Sequence, residues 1–145
     1  VWAGNAAHTN DANRSIDPGL LMPLMQIPGI SMYSLQVGRD GEAKTVFGDA
    51  VTDLASELKD FADTAAVIGN LDLVVSVDTS VAHLAGAMGR PVWTLLPFMP
   101  DWRWLLDRED SPWYPSMRLF RQHTIGDWDG VIKRLSAAII KQVAR

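Results

Sequence analysis

A chain of 145 residues is long enough to bury one ordinary core, so a single domain over 1–145 is expected. With 48% hydrophobic and 21% charged residues it is globular in composition, which excludes a disordered class. The net charge of −4 argues against nucleic acid, whose binders carry a basic excess, but leaves room for a small anion held by a few local donors. The lack of cysteine excludes a disulfide scaffold, a cysteine nucleophile and a thiolate metal site. It agrees with a reducing compartment, and the cytoplasm is the expected location. No apolar run reaches the ~18 residues of a membrane span, and no signal peptide is legible.

Val1-Trp2-Ala3-Gly4 reads as the end of a buried strand, Val1–Asn5, as though cut from a longer chain. A polar loop follows over 6–15. Pro18 suits a first helical turn, and Leu20, Leu21, Leu24 and Met25 share one helical face before Pro28-Gly29 ends it. Ser31–Val37 reads as a second strand. Turn signals fill 38–49, with Lys44–Phe47 as a candidate small strand. Val51–Leu54 reads as a third strand, and Asp63 or Thr64 as the cap of a short helix that stops at Gly69-Asn70.

Leu71–Val77 is nearly all apolar, as expected of a parallel strand covered on both faces. A helix over Thr79–Met88 follows, then a strand over Pro91–Leu96, a long aromatic-rich connection over 97–115, and a strand over Met117–Phe120. Asp127 caps a last helix with Trp128, Val131, Ile132, Leu135, Ile139 and Val143 on one face. Its late Lys141 and Arg145 suit the negative end of the helix dipole. Strands alternating with helices predict an α/β fold, a Rossmann-like parallel sheet with helices on both faces.

Ligands of such sheets sit beyond the carboxyl ends of the strands. There the sequence runs Val77-Asp78-Thr79-Ser80-Val81-Ala82-His83, a buried strand leading straight into a helix. Free N–H groups of a first turn, the dipole and the Thr79 and Ser80 hydroxyls can hold an anion, and His83 lies one turn in. Ordinary helix capping explains the same residues, and a semi-buried, satisfied histidine explains His83. A Ser-His-Asp reading of Asp78, Ser80 and His83 fails, because no nucleophile-elbow pattern surrounds them. Arg14, in the loop after the first strand, can give charge-assisted bonds to a diphosphate or simply lie solvated. Trp102 and Arg103 follow a strand end closely and can wall a ligand, whereas Trp104 and Trp113 suit packing. Neither GxGxxG nor GxxxxGK[ST] occurs. His8, His83 and His123 lie in separate segments and Asp-x-Asp is absent, so no metal is expected.

At Leu71–Pro97, "LDLVVSVDTSVAHLAGAMGRPVWTLLP" resembles the donor-site segment of glycosyltransferase family nine, the heptosyltransferase-like enzymes. Asp78, Thr79, His83, Leu84, Ala85, Ala87, Gly89 and Pro91 fill that family's pattern. The stretches "VWAGN", "NRSI", "SLQ", "DFADTAA", "DWRWLLDREDSPWYPSMRLFRQ" and "GDW" further resemble the glycosyltransferase-like domains of bacterial tetratricopeptide-repeat proteins. The resemblance implies the C-terminal half of a GT-B fold, an inverting transferase that takes a nucleotide diphosphate sugar as donor and needs no metal or other cofactor. It implies donor binding by Arg14, Gln36, Asp78, Thr79, Ser80, His83 and Trp102. It also implies that the general base lies in a missing N-terminal half, with tetratricopeptide repeats in the same protein. The alternative is a non-catalytic structural or interaction module of such a repeat protein. Ser80-Val81 departs from the Gly-Pro-type pair of heptosyltransferases, which favours the repeat-protein group and leaves the donor sugar open.

Overall fold

The computed structural model describes residues 1–144; the expected role of Arg145 at the helix end lies outside them. Among the described residues, five short strands form two parallel sheets. In the first, β1 (Met32–Ser34) pairs with β2 (Val51–Asp53); in the second, β3 (Val74–Val77), β4 (Val92–Leu96) and β5 (Met117–Arg121) lie in that order. Residues 1–3 bridge the two sheets. The Val1 amine donates to Val75 O and the Val77 N–H donates to Val1 O, the spacing of a parallel ladder. On the other side, the Gln36 side chain accepts from the N–H groups of Trp2 and Ala3 and donates to Ala3 O. Bridged in this way, the order runs β2, β1, residues 1–3, β3, β4, β5, which is that of a doubly wound, Rossmann-like sheet. The expected first strand is thus an extended segment whose second edge is closed by a side chain.

Alternation along the strands supplies one apolar surface to each face. Val77, Leu95 and Phe120 join a cluster with Trp2, Leu24, Phe47, Val131 and Leu135. Val74, Val92, Leu96, Met117 and Leu119 join another with Ile68, Ala82, Ala85 and Trp104. Helices α2 (Glu42–Phe47) and α5 (Trp128–Val143) belong to the first face, and α3 (Phe61–Gly69) and α4 (Ser80–Ala87) to the second. A short α1 (Asp11–Arg14) interrupts the polar loop expected over 6–15.

Several elements differ from expectation for identifiable reasons. Pro18–Gln26 is a 3₁₀ helix with Pro23 inside it, where proline lacks the N–H that an α-helical turn needs. The candidate strand Lys44–Phe47 lies in α2, because Ala43 and Phe47, four apart, bury together on one helical face. Helix α3 starts earlier than expected: Asp60, not Asp63 or Thr64, is its cap and accepts from Ala62 and Asp63 N–H, while Asp63 reaches back to the Lys59 N–H. Asp127 caps α5 through the Gly130 N–H, as expected, but Val143 is exposed rather than on the buried face.

Candidate functional site

The carboxyl ends of residues 1–3, β3 and β4 converge on Asp78. Strand β3 ends at Val77, Asp78 makes the turn, and α4 opens at Ser80 with Thr79 as its cap residue. Thr79 makes no side-chain capping bond; its hydroxyl pairs with Ser76 Oγ at 2.9 Å beneath the turn. The first intrahelical bond runs from His83 N–H to Thr79 O. The N–H groups of Ser80, Val81 and Ala82 therefore have no acceptor within the helix, and the positive end of its dipole faces the strand end. Ordinary side-chain capping by Thr79 does not account for this turn. The Ser80 side chain is exposed beside it.

Arg14 reaches this point from α1. Its Nη1 donates to Asp78 O at 2.9 Å and its Nε lies 3.2 Å from Asp11 Oδ1, with both side chains largely covered. Gly4 makes the approach possible, since a Cβ there would overlap both the Arg14 guanidinium and the Asp11 carboxylate. His83 lies on the other side, with Nε2 3.5 Å from Asp78 Oδ1 and Nδ1 3.0 Å from the Tyr114 hydroxyl. Its ring stacks on Trp104 with centroids 5.1 Å apart, and its side chain keeps 34% exposure. Burial works to raise the Asp78 pKa, but the His83 ring, the Trp104 indole and the Arg14 charge together hold it below the usual carboxylate value. The Trp104 indole N–H completes no hydrogen bond of its own and is turned toward that carboxylate.

Of the residues singled out on the sequence, Arg14, Asp78, Thr79, Ser80 and His83 meet in one place. Gln36 and Trp102 lie apart from that cluster. Gln36 is 4% exposed, and its amide is fully engaged by the backbone of Trp2, Ala3 and Val37. Trp102 is 68% exposed and carries the Arg103 guanidinium over its ring at 4.8 Å. Sequence reasoning missed two aromatic partners of His83. On the sequence Trp104 suits packing, and it is fully buried, but it also forms the floor under the imidazole. Tyr114 stands out on the sequence only as part of an aromatic-rich stretch. The connecting loop is brought back to the site by Arg121, whose guanidinium donates to Arg108 O, Leu105 O and Trp104 O. Among the described residues no acidic, histidine or cysteine group has the clustering of a metal site, and no helix is long and apolar enough to cross a membrane.

The chain is 32% identical over 148 aligned positions to Protein FlbA of Caulobacter vibrioides. That alignment takes in 96% of this chain but spans only 24% of FlbA's length. No solved structure matches the chain. Residues 41–104 match Glycosyltransferase family 9 (heptosyltransferase), a stretch that holds Asp78, Thr79, Ser80, His83, Trp102 and Trp104 but not Arg14, Gln36 or Tyr114. Over that stretch, which includes the strand-to-helix turn, the chain is similar to the family 9 glycosyltransferases, and its parallel α/β fold agrees with that likeness.

Proposed function

We propose that this chain is the donor-binding domain of an inverting GT-B glycosyltransferase and holds the diphosphate of a nucleotide sugar at the start of α4. The observation that carries the reading is the uncapped first turn of α4, with Arg14 and His83 on either side of the strand end that precedes it. Oriented backbone N–H groups, a helix dipole and a fixed guanidinium are what a leaving diphosphate needs where its charge develops. In this reading Asp78 orients Arg14 and His83, Ser80 adds an exposed hydroxyl, Thr79 shapes the turn through Ser76, and Gln36 holds the neighbouring strand end. Trp102 lies farther out, as a wall for the sugar or the acceptor. No metal is required, because cationic and N–H groups do the same work on the phosphates.

The general base and the acceptor site belong to a second, N-terminal half, with tetratricopeptide repeats in the same protein; the 24% coverage of FlbA leaves room for both. The cytoplasm is the setting we propose. A second reading, a non-catalytic interaction module of a repeat protein, is favoured by the exposed Phe98, Met99, Trp102 and Leu106 beyond β4.

Calorimetric titration with UDP, GDP and ADP separates the two. The donor-binding reading expects saturable binding of one of them, weakened about 10- to 100-fold by Arg14→Ala, as loss of a charge-assisted bond implies. It also expects weaker binding by the Thr79→Ala/Ser80→Ala double variant. Absence of binding, or binding indifferent to these substitutions, sinks it.

A further inference from the structure

We propose that Tyr114 is a positioning residue that pins the His83 ring through Nδ1, so that the Nε2 proton, whose place the Asp78 carboxylate sets, faces the strand end that leads into α4. The proposal rests on the donor-binding reading above. His83 lies between two groups of opposite hydrogen-bonding character. A carboxylate can only accept, so the Nε2 facing Asp78 at 3.5 Å carries the proton. In the neutral ring Nδ1 is then an acceptor, and the hydroxyl 3.0 Å away, that of Tyr114, is able to donate. Each contact alone leaves the ring free to pivot about the other.

The surroundings of Tyr114 are built to keep it there. A Cβ at Gly86 would come within 2.5 Å of the Tyr114 ring, so the glycine lets the phenol lie directly against α4. Ser111 Oγ accepts from the Tyr114 N–H at 3.4 Å and fixes the loop backbone. Trp104 stacks on the imidazole face at an interplanar angle of 26°, while Tyr114 meets it edge-on at 68°. The Nε2–H is thus held beside Asp78, at the strand end that leads into α4. A phosphate oxygen arriving there can take or share that hydrogen bond. The opposite tautomer would set two lone pairs against each other.

Long-range ¹H–¹⁵N spectra of the ¹⁵N-labelled chain report ring tautomers directly, and His8 and His123 serve as internal controls. The proposal expects neutral His83 to be protonated on Nε2. In Tyr114→Phe, which keeps the ring packing, the His83 Nδ1 resonance moves toward that of an acceptor nitrogen without a partner while those of His8 and His123 stay in place. The affinity for whichever of UDP, GDP or ADP binds falls roughly 2- to 10-fold, the loss of one neutral hydrogen bond. A proton on Nδ1 in the unsubstituted chain overturns the proposal, even if the variant does not fold. So does a His83 Nδ1 resonance that Tyr114→Phe leaves unmoved. If the tautomer behaves as expected but no nucleotide binds either protein, the hold of Tyr114 on His83 stands and the donor-binding reading fails.

Discussion

Asp78 illustrates how a single residue can look like one thing in sequence and another in space. On the sequence it is an acid in front of a helix, open to capping, catalytic and ligand readings alike. In the fold it accepts no backbone N–H of α4; its main-chain oxygen takes the Arg14 guanidinium and its carboxylate faces His83 and Trp104. Its pKa is lowered in the folded state, so the unfolded chain binds the extra proton first as acid is added. The stability it contributes is then present above the ordinary carboxylate value and is lost as pH falls through the lower folded one. We expect the urea midpoint of the unsubstituted protein to drop over that interval relative to Asp78→Asn. Parallel midpoint curves for the two proteins through acid pH would contradict this.

At the scale of elements, two helical glycines have opposite meanings that only packing distinguishes. Gly69 ends α3 with nothing near its missing Cβ, whereas Gly86 lies against the Tyr114 ring. Helix propensity favours alanine at both, by up to about 1 kcal/mol. At Gly86 overlap with the rigid base of the ring outweighs that gain, since overpacking typically costs about 1–3 kcal/mol. Thermal or urea unfolding should therefore show Gly69→Ala slightly stabilised and Gly86→Ala destabilised, and equal signs would refute the assignment. Helix α2 carries a similar lesson. Thr45, Val46 and Phe47 have strand propensity, yet the four-residue spacing of Ala43 and Phe47, with the Phe47 ring edge-on to Trp2 at 5.7 Å, decides for helix. That spacing was readable in the sequence; the partner it packs on was not. The cap of α3 was displaced because Phe61, an apolar residue that is exposed, begins the helix before its buried face does.

Over the whole molecule, the two sheets depend on one side chain for part of their connection. Gln36 supplies the acceptor for two N–H groups of residues 1–3. Its replacement by alanine leaves both without that partner in a buried place, at a cost of ~2–5 kcal/mol in total. Chemical unfolding should register that loss, with hydrogen exchange at Trp2 and Ala3 accelerating ahead of exchange in β3–β5. Unchanged protection of those two amides would show that the bridge does not depend on Gln36.

The sequence by itself determined the α/β class and the principal parallel strands, and it marked the Asp78–His83 turn as a buried strand running straight into a helix. These are local properties: apolar runs covered on both faces, helical periodicity and the chemistry of a strand entering a helix. The tertiary structure alone decided that Gln36 joins the sheets, that Arg14 reaches the Asp78 carbonyl from 64 residues away, and that Trp104 and Tyr114 enclose His83. The reason is physical. Periodicity shows which face of an element is buried, whereas the identity of a distant partner depends on how the connections fold back. Here that depends on the Arg121 hold on the loop after β4 and on the bare backbone of Gly86, where a single added carbon would meet the rigid base of the Tyr114 ring.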